Sequence, residues 1–360
     1  MDDAFYMRRA LQLAKRGWGS TNPNPMVGAV IVENSEIVAE GYHEKDGQLH
    51  AERNALKNLG RKPKKGATMY VTLEPCSTAG RTGACTDAII AAGISKVVIG
   101  AFDPNPAHAA RAVGILKNAG IDVVCGVLKE ECENLNFIFN YYITKNQAFV
   151  LAKFAVSQNL KLTEKAGVQS HISCGEANAN TMRLRKLFSA IGVGFNTYLS
   201  DNPRLTARID GKEFCGKRLL FDTSLNCTDN LQGNLFTDKF AENTYVVCGE
   251  NSSAERQKFL AEKEVNLLKI KSQKNSLDFW KELKTRLAEL RISSLMVEGG
   301  SKILTSLFSA GAADAFCVYQ SPNLLSESGL DALPENLWQN IKNVPPQKIG
   351  CDTMYTNLKI

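Results

Sequence analysis

His50-Ala51-Glu52, then Thr72-Leu73-Glu74-Pro75-Cys76, then Cys85: the reading of these stretches decides the fold of the first half of the chain. The pattern over 50–59 is helical, opens on His50 and is stopped by Gly60. Residues 67–73 read as a strand that ends just before Pro75-Cys76. Residues 86–92 read as a second helix, so Cys85 stands at a helix start. One imidazole and two thiols are three of the donors zinc prefers, and a fourth position stays open for water. A bound zinc lowers the pKa of such a water, and Glu52 stands beside the site as a proton carrier. Helix N-termini stabilise thiolates, which suits Cys85. No fourth protein ligand is evident, which disfavours a purely structural zinc. A lone His or Cys would be read as a buried core residue; four residue types in this order are not.

Working outward, residues 2–16 form an amphipathic helix pattern, and 26–32 and 36–41 read as strands. Further on, 96–100 is a strand, 107–119 a helix, 121–124 a strand and 128–139 a helix. The pattern resets at 140–148, and 149–156 opens a second set. Its strands are expected at 190–194, 218–221, 244–248, 266–270, 294–297 and 315–319. Its helices are expected at 177–188, 277–290 and 302–310, and the tail after Gly329 is weakly patterned. Alternation of this kind builds layered α/β domains. At ~150 residues per domain, 360 residues make two, placed at 1–145 and 146–360.

Composition narrows the classes. Hydrophobic residues are 44% and charged residues 22%, which excludes disordered and fibrous readings. The net charge is 43 − 37 = +6, too small for a nucleic-acid coat and suited to a phosphorylated small molecule. No apolar run approaches the ~20 residues of a membrane span. The start, Met1-Asp2-Asp3, lacks the basic and apolar character of a signal peptide, so a cytoplasmic protein is expected. Ten scattered cysteines are expected to be mostly buried thiols, with Cys76 and Cys85 the one closer pair.

The His-x-Glu…Pro-Cys…Cys order is similar to that of zinc deaminases. Nucleoside and nucleic-acid deaminases carry Pro-Cys-x-x-Cys, whereas eight residues separate Cys76 from Cys85 here. Arg81 in that loop is either a phosphate or base contact or a solvated side chain. Pro23-Asn24-Pro25, Gly41-Tyr42-His43, Gly80-Arg81-Thr82, Cys85-Thr86-Asp87-Ala88 and Asp103-Pro104-Asn105-Pro106 extend the pattern. In the second half Lys153, Ser157, Arg185, Thr197, Asp201-Asn202-Pro203, Arg208, Asp222, Glu298-Gly299-Gly300 and Asp314 follow in order. With these residues the chain resembles the bifunctional deaminase–reductases of riboflavin biosynthesis, nearly end to end.

That resemblance implies a cytidine-deaminase-like three-layer domain followed by a dihydrofolate-reductase-like domain. It implies zinc-dependent deamination of 2,5-diamino-6-ribosylamino-4(3H)-pyrimidinone 5′-phosphate, then NADPH-dependent reduction of the ribosyl chain to ribityl. Zinc would be held by His50, Cys76 and Cys85, with Glu52 and Lys153 catalytic. By position, Asn24, His43, Arg81, Gln169, Arg185, Leu205, Arg208 and Glu298 would bind substrate. Arg185 and Arg208 are suited to gripping its phosphate by bidentate contacts. Ala155, His171, Thr197, Asp201, Thr223, Gly300, Ser301, Lys302, Ile303, Leu304, Thr305 and Ser306 would bind NADPH. Gly299-Gly300, between a strand and a helix, would let backbone amides approach a phosphate. A homo-oligomer, dimer or tetramer, is also implied.

The chain departs from the family pattern at several places. Leu49 replaces the usual Pro, Thr78 and Ala79 the usual histidines, and Ala110 and Ala112 the usual glycines. Ser157-Gln158-Asn159-Leu160 stands where Ser-Leu-Asp-Gly is usual, and His171 replaces a tryptophan. These changes motivate a second reading, a deaminase whose C-terminal half is only a binding and oligomerisation module. A third reading, a nucleic-acid base deaminase, is opposed by the long Cys–Cys loop and the modest charge.

Overall fold

The computed structural model describes residues 1–78, 83–105, 109–165, 167–168 and 170–359. The chain divides into two compact units, Met1–Asn146 with the last residues, and Gln147–Leu358.

In the first unit the order is α1 (Asp3–Ala14), β1 (Gly28–Glu33), β2 (Glu36–Tyr42), α2 (Ala51–Leu59), β3 (Thr68–Leu73) and α3 (Cys85–Ala92). Then come β4 (Lys96–Ala101), α4 (Arg111–Asn118), β5 (Asp122–Cys125), α5 (Lys129–Leu135) and α6 (Phe137–Lys145). The sheet order is β2-β1-β3-β4-β5, with β1 antiparallel to both neighbours and β3, β4 and β5 parallel. Two glycines reveal the layers. Gly28 and Ala29 point to opposite faces because strand side chains alternate. A Cβ on Gly28 would strike the backbone of α1 at Ala10. Gly41, paired with Ala29, would strike the backbone of α2 at Ala55. The two helices therefore cover opposite faces, and the unit has three layers. Ala29, Ile31, Val71, Ile89, Val97, Ile99 and Leu116 form the core on the α2 face.

The expected helix over 128–139 is corrected: it breaks at Asn136 and resumes to Lys145. The Asn136 amide is buried and grips the backbone of Met26, accepting from its N at 2.8 Å and donating to its O at 2.9 Å. The helix expected over 107–119 is found from Arg111 to Asn118.

The second unit begins with β6 (Phe149–Val156), β7 (Lys161–Thr163), α7 (Gly175–Leu187), β8 (Ala190–Gly194) and α8 (Phe195–Asp201). It continues with β9 (Ala207–Ile209), β10 (Lys212–Phe214), β11 (Lys217–Phe221), α9 (Asn234–Thr237), β12 (Thr244–Gly249), α10 (Ala254–Glu262) and β13 (Asn266–Ile270). It closes with α11 (Leu277–Glu289), β14 (Ser294–Glu298), α12 (Ser301–Ser309), β15 (Ala315–Gln320), β16 (Leu330–Asp331), α13 (Glu335–Lys342), β17 (Gln347–Ile349) and β18 (Asp352–Thr356). The main sheet runs β13-β12-β11-β8-β14-β6-β15-β18-β17, parallel through β15 and antiparallel at β18 and β17. Val150, Ala152, Phe154 and Val156 share one face of β6 with a core built on Trp280, Leu304 and Trp338. The odd positions, Lys153 and Ala155, point to the opposite face. The weakly patterned tail is corrected too: it supplies α13, β17 and β18, and β18 pairs with β15.

Candidate active sites

In the first unit, β3 ends at Leu73 and delivers Cys76 between the starts of α2 and α3. His50 is the N-cap of α2 and Cys85 the first residue of α3. His50 Nδ1 lies 3.5 Å from Cys76 Sγ and 3.3 Å from Cys85 Sγ. The three ligand atoms lie within 4.8 Å of one another. The start of α3 is fastened to this point, since Cys85 N and Thr86 N both donate to Cys76 O, at 3.0 and 3.2 Å. Cys85 Sγ and the Cys85 amide both face Cys76 Sγ, and the contact with Cys85 depresses the Cys76 thiol. Burial raises the Glu52 carboxyl.

Among the described residues, three buried polar side-chain atoms have no hydrogen-bond partner: Glu52 Oε2, Arg53 Nε and Thr86 Oγ1. All three belong to the first turns of α2 and α3. Orphaned buried groups cost about 1–3 kcal/mol each, so such a concentration marks a place built for something else to bind. A His/Cys/Cys donor set with an adjacent carboxyl that keeps one oxygen, Glu52 Oε2, unpartnered fits a catalytic zinc.

His43 is buried, with its Nδ1 3.1 Å from Leu49 O and its ring edge-on to His50 at 5.4 Å. The orienting group is a carbonyl, so Leu49 serves as the usual proline would. Asn24 Nδ2 stands 3.5 Å from His43 Nε2 and donates to Asp46 Oδ1 at 2.9 Å. Sequence reasoning gave no role to Glu74 beyond its motif. Its buried carboxylate accepts from the amides of Asp103, Ala110 and Ala112, at 3.2, 2.9 and 3.0 Å. Arg81 and Ala79 lie outside the described residues, as does Gln169.

In the second unit, Lys153 on β6 is in register with Glu298 on β14 and Cys317 on β15. Lys153 is buried, with its Nζ 5.4 Å from the Tyr319 ring centre. Burial lowers its pKa, against the opposing pull of Glu298. Glu298 takes a bidentate pair from Arg185 on α7, at 2.6 and 2.8 Å. Burial alone would raise the Glu298 carboxyl; Arg185 outweighs it and holds the group well below the ordinary carboxylate range. Arg185 also donates to Thr206 O at 3.0 Å, which leaves one N–H on each terminal nitrogen for a ligand. Arg208 is exposed and makes one bond, to Thr206 Oγ1 at 2.9 Å.

The cofactor expectation is refined. Gly299 has φ +112, and Gly300 N donates to Thr197 Oγ1 at 3.1 Å. The amides left at the start of α12 are those of Ser301, Lys302 and Ile303. Leu304 lies in the core and Ser306 accepts from Trp280 Nε1, so their side chains hold the helix rather than face a ligand. Ile303 is core as well, Thr305 is half-buried, and Leu205 is buried with φ +55. Ala155 and Asp201 are half-buried, and Asp201 accepts from Ser200 Oγ. His171 is exposed on the segment before α7. Thr223 lines a cavity of about 370 Å³ at the ends of β11, β12 and β13, with Ser252, Ser253, Lys271 and Ser272. Those last four were missed; the Ser253 N-cap of α10 was the available signal.

The turn after β6, whose sequence departs from the family pattern, is closed by Ser157. Ser157 Oγ bonds Asn159 Oδ1 at 2.7 Å and accepts from Lys161 N at 2.9 Å, with Leu160 at φ +63 where glycine is usual.

The zinc-binding region of cytidine and deoxycytidylate deaminases matches residues 1–101, and the RibD C-terminal domain matches residues 148–354. The riboflavin biosynthesis protein RibD of Actinobacillus pleuropneumoniae is 41% identical over 325 residues, covering 90% of this chain and 85% of its own. The chain belongs to the RibD family. The RibD of Aquifex aeolicus is 40% identical, over 95% of both chains. The solved RibD of Acinetobacter baumannii superposes with a TM-score of 0.85 at 29% identity, over 98% of each chain. A solved Thermotoga maritima diaminohydroxyphosphoribosylaminopyrimidine deaminase/5-amino-6-(5-phosphoribosylamino)uracil reductase gives 0.81 at 31%, over 98% and 97%. Like other RibD proteins, this chain is a deaminase and reductase of riboflavin biosynthesis, with zinc and NADPH as cofactors. The reading of its C-terminal half as a mere module is set aside, since the reductase domain matches along its length. No helix among the described residues is long and apolar enough to cross a membrane.

Proposed function

We propose that residues 1–145 deaminate 2,5-diamino-6-ribosylamino-4(3H)-pyrimidinone 5′-phosphate, and that residues 146–360 reduce the product's ribosyl chain to ribityl. The observation that carries the first step is the His50, Cys76 and Cys85 cluster beside the unpartnered Glu52 Oε2. Zinc held by those three residues would supply Lewis acidity to the attacking water. Glu52 Oε2, unpartnered and buried, is placed to take the proton of the attacking water and to pass it to the leaving amine. His43, with Nδ1 turned to Leu49 O, keeps its Nε2 edge beside Asn24, and the Asn24 amide reads the pyrimidine edge.

In the second unit, NADPH supplies a hydride. Lys153 gives a proton to the opened sugar imine, its pKa lowered by burial and its place set by Glu298. Arg208 takes the substrate phosphate, and Arg185 positions Glu298. Thr197 and the free amides at the start of α12 would hold the cofactor, and Thr223, Ser253 and Lys271 would offer polar contacts to its phosphates. The homo-oligomer is part of this proposal, and sedimentation of the purified chain decides it. A cytoplasmic location is supported by ten cysteines that all stand free.

The test is mass spectrometry of the diaminopyrimidine incubated with the chain. Exchange of an amino group for oxygen without NADPH, then a gain of two hydrogens with it, is the expected result. Exchange alone would sink the second half of the reading.

A further inference from the structure

Away from both sites, the described residues hold a second group of metal-ligating side chains. Cys174, Cys351 and Asp352 have their ligand atoms within 4.8 Å of one another, the same closeness as the His50 cluster. Cys174 is the N-cap of α7, and Cys351 and Asp352 follow the Gly350 turn between β17 and β18. Asp352 is fully buried. Its Oδ2 accepts from Cys174 N at 2.9 Å, and Oδ1 lies 3.6 Å from Cys351 Sγ. Gly350, at φ +57, lacks a side chain where one would collide with the Glu176 carboxylate and crowd Cys174 Sγ at 2.9 Å. The bare turn leaves room beside Cys174 Sγ, with the Glu176 carboxylate on its far side.

We propose that Cys174, Cys351 and Asp352 form a second cation site, for zinc or a similarly thiophilic divalent ion. Donor atoms this close fit ligands at about 2.0–2.3 Å from one centre. A cation held there ties the start of α7 to the β17–β18 turn, and the alternative, a Cys174–Cys351 disulfide, is separated by the test below. The same helix carries Asn180, which donates to Tyr319 Oη, and Arg185, which grips Glu298.

The experiment uses the full chain, stripped by a chelator, kept reduced with a phosphine, reloaded with zinc ion and desalted. Two zinc ions per chain are expected. One is expected in Cys351→Ser and in Cys174→Ala, with ammonia release unchanged, because neither residue belongs to the deaminase unit. Cys351 is exposed at a turn, so its serine variant keeps the fold. One zinc per wild-type chain would overturn the proposal. So would two retained in both variants, or a mass two hydrogens low with both thiols closed to alkylation, which marks a disulfide.

Discussion

Ala110 sits at φ +60, a left-handed conformation that costs an alanine about 1 kcal/mol over glycine. It occupies a position where the family usually has glycine, the residue that the left-handed region favours. Ala110→Gly relieves the strain but frees the unfolded chain, which returns roughly 0.4–1 kcal/mol. The net expected is a stability gain below ~1 kcal/mol, read as a small rise in the denaturation midpoint. A clear loss would mean that the Ala110 methyl has a packing role. Glu298 offers a sharper test. Its folded carboxyl lies below the ordinary value, so its pairing stabilises the fold above the ordinary carboxylate range and that contribution fades as pH falls. The stability difference between wild type and Glu298→Gln should therefore shrink between roughly pH 5 and pH 2. Arg185→Leu, which strands the buried carboxylate, should cost about 3–5 kcal/mol at neutral pH. A difference that stays flat with pH would mean that the pair contributes no linkage. The His50, Glu52, Cys76 and Cys85 set was legible because its order and helix starts are local. Arg185's partner was not, because Glu298 lies far along the chain and only the fold brings the two together.

At the scale of elements, Glu74 ties the end of β3 to the approach and first turn of α4 by accepting three amides. Glu74→Ala leaves those donors buried and unpaired, a cost on the order of 3 kcal/mol. Hydrogen exchange should quicken at Ala110 and Ala112 first, and unchanged exchange there would sink the assignment. The strands of the first unit were readable from apolar runs bounded by turn residues. The break at Asn136 was not, because a helical pattern continues across it and its cause is the distant backbone of Met26. An Asn amid helix formers was the one local hint. The tail misled for a related reason. β18 is a short strand whose register comes from β15, and no alternation in its own five residues announces it.

At the scale of the whole chain, each proposed chemical group lies in a unit with its own core, the first built around Ile31, Val71 and Ile99, the second around Val150, Trp280 and Leu304. Removing one group therefore leaves the other unit's core untouched, and the two activities should separate by single substitutions. Glu52→Gln keeps the shape but removes the proton carrier. Ammonia release should fall by about 10²–10⁴ while zinc stays bound, since the ligands are intact. That variant, given the already deaminated substrate, should still oxidise NADPH at the wild-type rate. Lys153→Met fills the same buried space without a proton to give. It should deaminate normally and stall before reduction, so that the deaminated, unreduced compound accumulates. If Glu52→Gln lost both activities on their separate substrates, the assignment of one proton carrier to each unit would fail. If Lys153→Met still reduced the substrate, the proton would have to come from another group, and Tyr319, whose ring lies under Lys153, would be the next side chain to replace.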